Sequence, residues 1–244
     1  MRKTLCLFQF VWLFGSSIYA QADNEIQVYA SPTIQHKWTI FELHSNHTAH
    51  EPRWTNETLE ITHGFGKNFE LGFYTFTAFS PSGDFQYLGN QIRPRFTVPV
   101  EKNWKIGASL SMEFGFFRPH KDSSFNWQGE IRPILDKTIG NWYFALNPNI
   151  DFVLSGADKG AGIAPQFKTV YTIQKVFGIG IEYYGSLGSF SKILPGNMQE
   201  HLLGPMIDLY VHPKFEFNAG MLFGLTPNSN QRIFKLLLGK RIGK

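Results

Sequence analysis

The chain has 244 residues, with 24 Phe, a single cysteine and a formal charge of +4. This weak charge excludes the strongly basic surface of a nucleic-acid-binding protein, and one cysteine cannot form a disulfide framework. Aromatic residues make up 16% of the chain, yet only one long apolar run exists, which excludes a bundle of transmembrane helices.

The first 22 residues are predicted to be a signal peptide. Arg2 and Lys3 precede the apolar run LCLFQFVWLFG, and the triplet AQA at 20–22 offers a small-residue cleavage site, with cleavage after its first alanine as an alternative. An uncleaved anchor helix is the competing interpretation, but the run is shorter than the ~20 apolar residues that span a bilayer. Cleavage would remove Cys6, so the mature chain would have no cysteine and no disulfide.

Residues 23–37 are predicted to be a lead-in arm, with a plug as the open alternative, and residues 38–244 a β-barrel. The evidence is a period-2 alternation. In KIGASLSMEFGFF, Leu110 and Phe114 share one parity while Ser109 and Glu113 share the other. The same rhythm predicts twelve strands: Trp38–His47, Leu59–Phe65, Phe69–Phe79, Tyr87–Val98, Lys105–Phe117, Phe125–Lys137, Trp142–Leu154, Ile163–Ile173, Phe177–Leu187, His201–Val211, Phe215–Leu225 and Arg232–Ile242.

Two architectures fit such strands. A soluble sandwich buries the apolar row, whereas a transmembrane barrel turns it toward lipid and encloses the polar row. The polar row contains Gly, Tyr, Asn and single charges, which is typical of a confined interior. Connections also alternate between short and long, as barrel rims require. The short ones are 66–68, 99–104, 138–141, 174–176 and 212–214, and the long ones are 48–58, 80–86, 118–124, 155–162, 188–200 and 226–231.

Prolines are the main feature that opposes this interpretation. Each one removes a hydrogen-bond donor from the sheet, and proline within a sheet normally marks an edge or a bulge. We therefore expect local bulges at the prolines that fall within predicted strands, namely Pro94, Pro133, Pro148, Pro165 and Pro205.

If the polar row faces the lumen, the lumen is strongly charged. The predicted acids are Glu42, Glu60, Glu70, Glu113, Glu130, Asp136, Asp151, Glu182, Asp208 and Glu216, and the predicted bases are Arg93, Arg95, Arg132, Lys168 and Lys235. The densest part lies on three neighbouring strands, where Arg–Glu pairs across adjacent strands are within reach. Two hypotheses remain open, a structural ion-pair ladder and a constriction that selects small polar or charged solutes. The predicted constriction consists of Arg93, Arg95, Glu113, Glu130 and Arg132.

Catalysis is predicted to be absent, although some outer-membrane barrels hydrolyse lipids. The segment ELHSNHT places His44 next to Ser45, and adjacent residues of a strand point to opposite faces, so the two cannot form a nucleophile–base pair. Histidines such as His63, His201 and His212 lack metal-ligand spacing. We therefore predict no catalytic, cofactor-binding or metal-binding residue and no cofactor.

Several segments resemble uncharacterised bacterial outer-membrane barrels described as transporters, such as the group named for the meta-cleavage pathway of phenol degradation. They are FELHSN at 41–46, QIRPRF at 91–96, EIRPILD at 130–136, GIEYYGSLG at 180–188 and NAGMLFGLTPNSN at 218–230. The resemblance implies an outer-membrane location and passage of small organic molecules, and it transfers no catalytic residues. Such barrels usually end in an aromatic residue that the barrel assembly machinery recognises, whereas this chain ends in GKRIGK.

The sequence therefore predicts an all-β, antiparallel transmembrane barrel of about twelve strands in the bacterial outer membrane. Its predicted partners are outer-membrane lipid, the assembly machinery and an unidentified small solute, and its predicted function is passive diffusion through a charged lumen. A closed barrel with a structural or surface-interaction role is the first alternative. An outer-membrane lipid hydrolase is the second.

Overall fold

The computed structural model describes residues 25–50, 52–99, 105–119, 123–157 and 159–243. The predicted signal peptide, residues 1–22, lies outside this part of the chain. The strands are β1 Trp38–Thr48, β2 Thr55–Gly64, β3 Phe69–Phe79, β4 Phe85–Thr97, β5 Gly107–Phe117, β6 Asn126–Ile139, β7 Trp142–Val153, β8 Gly160–Ile173, β9 Phe177–Ser186, β10 Gly188–Ser189, β11 Lys192–Ile193, β12 Glu200–Leu209, β13 Phe215–Gly224 and β14 Arg232–Gly243. A 3₁₀ turn spans Gly196–Met198. Among the described residues, no helix has the length and apolarity needed to span a bilayer.

The twelve long strands form one closed antiparallel barrel. Each pairs with the next in the chain, β9 pairs with β12 across the β10–β11 hairpin, and β1 pairs with β14 from Trp38↔Gly243 to Thr48↔Ile233. Every long strand therefore has two hydrogen-bonded neighbours, and none of the twelve presents an open edge. The predicted all-β barrel of about twelve strands is confirmed, and β3 occupies its predicted range.

The barrel is apolar outside and polar inside. In β5, Phe114 is 44% exposed, whereas Ser111 and Glu113 on the other parity are 0% and 3% exposed. The same arrangement recurs in β2, where Leu59 is 53% exposed and Glu60 is 1% exposed. A soluble sandwich would bury the apolar row, so this pattern matches a barrel whose outer surface faces lipid.

The two ends of the barrel differ in their connections. We call the end at which β1 begins the inner rim and the end at which β1 finishes the outer rim. At the inner rim, Gly140 and Asn141 alone join β6 to β7, and residues 174–176 join β8 to β9. Residues 187–199, at the outer rim, contain the β10–β11 hairpin. The predicted alternation fails at 98–106, an inner-rim connection that is longer than predicted and only partly described.

The bulges expected at the prolines do not occur. Pairing of β6 with β7 stops after Ile131↔Ile150 and resumes at Leu135↔Leu146 in the same register, and Pro148 directly faces Pro165 across β7 and β8. A missing N–H interrupts the ladder locally, and the neighbouring pairs hold the register on both sides. The shift in the β3–β4 register lies instead between Phe76 and Thr77.

Candidate functional site

The five residues of the predicted constriction all point into the barrel. Their exposed fractions are 2% for Arg93, 5% for Arg95, 3% for Glu113, 8% for Glu130 and 2% for Arg132. They lie on β4, β5 and β6, as their parity predicts. The structure divides them between two ion-pair networks, so they do not form one ring.

The first network extends from β4 toward β2. Arg93 Nη1 lies 3.0 Å from Glu70 Oε1, and Arg93 Nη2 also forms an ion pair with Glu60. Arg95 Nη2 lies 2.8 Å from the same Glu70 oxygen. Parity made Arg–Glu pairs within β4, β5 and β6 available, but the carboxylate partners of these two arginines lie on β2 and β3.

Gly72 explains how Arg93 reaches across a whole strand. Gly72 faces Arg93 in the β3–β4 register, and a Cβ atom placed there would lie 3.3 Å from Arg93 Nε and 2.7 Å from Thr62 Oγ1. The missing side chain leaves a gap that the guanidinium fills on its way to Glu60. A side chain at position 72 would separate the two charges.

The second network centres on Arg132. Its Nη2 donates to Glu130 Oε2 at 2.9 Å, and the same atom lies 3.9 Å from Glu113 Oε1 across β5 and β6. Asn149 Nδ2 donates to Glu130 Oε2 at 3.1 Å. The contact of Arg132 with Glu113 is an Arg–Glu pair between adjacent strands of the kind that parity made available.

Residues 25–37, which we call the lumen segment, lie inside the barrel and join these networks. The Tyr29 ring lies 4.8 Å from Arg93 Cζ, 5.4 Å from Arg95 Cζ and 4.4 Å from Arg132 Cζ. Asn147 on β7 accepts from Tyr29 N at 2.7 Å and donates to Tyr29 O at 3.1 Å. An aromatic face surrounded by three guanidinium groups is a favourable cation–π arrangement, which the sequence analysis did not anticipate.

The lumen segment runs along the barrel in both directions from Tyr29. Toward the inner rim, Ser31 N and Oγ donate to Asp136 at 2.7 and 2.8 Å, and Thr33 N donates to Thr97 Oγ1 at 3.1 Å. Toward the outer rim, Ile26 is 2% exposed and packs in an apolar cluster of interior residues: Val28, Ala145, Tyr184, Leu202, Leu222 and Ile233. The segment therefore occupies the lumen over much of its length.

A third network occupies the wall opposite β4. Lys168 Nζ lies 3.3 Å from Glu182 and 2.9 Å from Asp208, and Lys235 Nζ lies 2.6 Å from Glu182. Tyr210, just past the end of β12, donates to Asp208 at 3.1 Å, and burial beside this carboxylate raises the pKa of Tyr210 to about 12. All four charged residues were predicted to face the lumen, but their grouping was not predicted.

A cavity of about 510 Å³ remains between the lumen segment and the wall near the inner rim. Its lining includes Trp38, Glu42, Glu70 and Lys214, and the ion-paired Glu216 and Arg241. Acidic and basic side chains thus share the lining of this cavity. Such a mixed lining suits small polar or charged molecules better than apolar ones.

His44 and Ser45 lie on opposite faces of β1, as their adjacency predicts. His44 is 1% exposed and faces the lumen, while the Ser45 hydroxyl donates to Glu57 Oε1 at 2.8 Å on the outer face. The two side chains cannot act as a nucleophile and its base.

Comparison with solved structures shows what this barrel resembles. An outer-membrane channel from Pseudomonas putida F1 superimposes with a TM-score of 0.67 at 10% identity, covering 89% of this chain and all of the other. The KdgM porin superimposes with a TM-score of 0.53 at 14% identity, covering 82% of this chain and 98% of the porin. The NanC porin superimposes with a TM-score of 0.53 at 8% identity, covering 84% of this chain and 99% of the porin. The fold is that of outer-membrane β-barrels. No protein-family model and no curated protein matches the chain.

Proposed function

We propose that this protein is an outer-membrane channel for small solutes and that the lumen segment closes it in the conformation described above. The single observation that carries the proposal is the position of residues 25–37 within a polar, ion-paired barrel interior. Three barrels with a similar fold are described as a channel or as porins. An apolar outer face supports location in the outer membrane.

The contacts of the lumen segment support a removable plug. Its backbone–backbone hydrogen bonds to the described wall are confined to the end, where Lys37 N donates to Gly64 O at 2.9 Å. The rest is held by side chains, such as Asn147 and Asp136 from the wall. Withdrawal of the segment would therefore break none of the strand pairings that keep the barrel closed.

Removal of residues 26–33 tests the proposal. In planar lipid bilayers we expect the mature chain to give little steady current and the shortened variant to give stable, ohmic channels, because the deletion removes Tyr29 and Ser31 from the lumen. A matched control deletes the same number of residues, 189–196, from the outer-rim connection between β9 and β12. This control variant is expected to behave like the parent chain.

The outcome also separates the channel from its main alternative. If the shortened variant folds and still conducts nothing, the barrel is closed by its own ion-pair networks and its role is structural or surface-binding. Under the channel hypothesis, the solute passes beside Arg93, Arg95 and Arg132 and their carboxylate partners, so these residues set selectivity by charge. Membership of the group named for phenol degradation remains part of this proposal.

A further inference from the structure

A buried histidine in the barrel wall lacks hydrogen-bond partners. His44 on β1 is 1% exposed, and neither Nδ1 nor Nε2 makes a hydrogen bond. Buried polar groups in folded proteins are nearly always hydrogen-bonded, so an imidazole with two unsatisfied nitrogens requires an explanation. Glu60 on β2 has the same property, because its Oε2 atom is buried and unpartnered while the other oxygen bonds Arg93 and Thr62.

His44 and Glu60 lie close to each other and to Glu25 of the lumen segment. One ligand atom each from Glu25, His44 and Glu60 lies within 4.8 Å of the other two, and all three residues are buried. His44 Nε2 lies 3.6 Å from Glu60 Oε2, which is too long for a hydrogen bond. Metal–ligand bonds of ~2.0–2.2 Å place two tetrahedral ligands about 3.4 Å apart, so this separation suits a shared cation.

The guanidinium groups near the cluster leave one oxygen of Glu60 unoccupied. The nearby carboxylates are Glu42 and Glu70, and the guanidinium groups that face these acids or Glu25 are Arg93, Arg95, Arg132 and Arg241. Arg93 does not occupy the gap, because it bonds Glu70 and the other oxygen of Glu60.

Hydrogen bonds already orient both carboxylates. Glu25 Oε1 accepts from the hydroxyls of Tyr29 and Tyr74, and Glu60 Oε1 accepts from Thr62 and Arg93. Metal-ligating carboxylates are typically held by such outer partners. One oxygen of Glu60 thus remains available for an ion.

We propose that Glu25, His44 and Glu60 form a binding site for a divalent transition-metal ion. One imidazole and two carboxylates provide nitrogen and oxygen ligands, which suit Zn²⁺ and related first-row ions better than soft Cu⁺. Glu25 belongs to the lumen segment and the other two ligands to the wall, so the ion links the segment to the barrel. The sequence pattern missed this site because its ligands come from three separate segments.

Zinc titration of the mature chain, refolded in detergent without a histidine tag, tests the site. We expect one Zn²⁺ per chain by isothermal titration calorimetry. His44→Gln should weaken binding by ~10-fold or more, since even outer partners of a metal have effects of this size. His47→Gln is the matched control, because His47 lies on the outer face of β1 and its Nδ1 already bonds Thr55; its affinity should be unchanged.

A second variant keeps the test decisive if His44→Gln fails to fold. Glu25 lies outside the strands, so Glu25→Gln leaves the wall intact and should also weaken zinc binding. Absence of saturable binding by the parent chain, or equal binding by the parent and Glu25→Gln, would overturn the proposal.

One consequence of the site rests on the proposed function. A bound ion would hold the lumen segment in place, so a chelator should increase conductance of the parent chain in bilayers, and Glu25→Gln should abolish this response. The calorimetric result does not depend on conductance. Zinc binding with a silent shortened variant would therefore contradict only the channel, and conductance without zinc binding would contradict only the metal site.

Discussion

At the scale of single residues, one ion pair inside this barrel depends on a glycine that leaves space for an arginine side chain. Gly72 leaves the gap through which Arg93 crosses β3 to reach Glu60. The sequence placed both charged residues in the lumen by parity alone. It could not select their partners, because partner choice depends on side-chain lengths and gaps across three strands, which alternation does not encode.

Replacement of Arg93 tests the weight of this network. Arg93→Ala leaves Glu60 and Glu70 buried without their shared partner, so we expect a loss of about 3–5 kcal/mol in the free energy of unfolding. Urea titration in lipid vesicles, followed by tryptophan fluorescence, measures it. Lys67→Ala removes an exposed cation from the inner-rim turn and should change stability by less than about 0.5 kcal/mol. Equal effects would show that the ion pairs contribute nothing specific.

At the scale of the elements, alternation identified all twelve long strands, because one face of each strand meets apolar surroundings and the other a polar interior. Alternation did not predict how the sheet accommodates its prolines or where the lumen segment lies. Pro148 and Pro165 face each other without a bulge, since an antiparallel ladder tolerates a missing donor when adjacent pairs fix the register. The sequence left the lumen segment open as an arm or a plug, because its position depends on contacts such as Tyr29 with Asn147 that no pattern reveals.

A charge on the outer face tests the orientation of the strands. Leu59 lies in the middle of β2 and is 53% exposed, so Leu59→Lys is expected to cost ~2–4 kcal/mol of folding free energy in vesicles. Phe65, equally exposed but at the inner rim, is the matched position, and Phe65→Lys should cost about 0–1 kcal/mol. Similar losses of folding free energy at the two positions would contradict a surface on which Leu59 lies deep in the bilayer and Phe65 lies near its edge.

At the scale of the whole molecule, the barrel is a single hydrogen-bonded unit that closes through the β1–β14 pair. The sequence predicted a barrel because twelve successive segments each alternate between an apolar and a polar face. It did not predict how full the lumen is, because that depends on barrel shape and on the path of residues 25–37.

Closure predicts resistance to detergent. We expect unheated protein to migrate faster than boiled protein in dodecyl sulfate gels, because a ring without free edges stays compact until heat breaks many pairings together. A variant that lacks residues 232–243 has no β14 and serves as the control; it should migrate identically with and without heating. Loss of the difference in the intact chain would show that the ring is not closed.

The β1–β14 pair also governs the order of biogenesis. The first and last long strands are partners, so the ring cannot form until the ribosome has supplied residues 232–243 and they have reached the membrane. Residues 25–37 are joined directly to β1, and the closed lumen that surrounds them exists only once this pair has formed. An incomplete translation product would instead present β1 and β13 as unpaired edges, a state prone to aggregation and proteolysis.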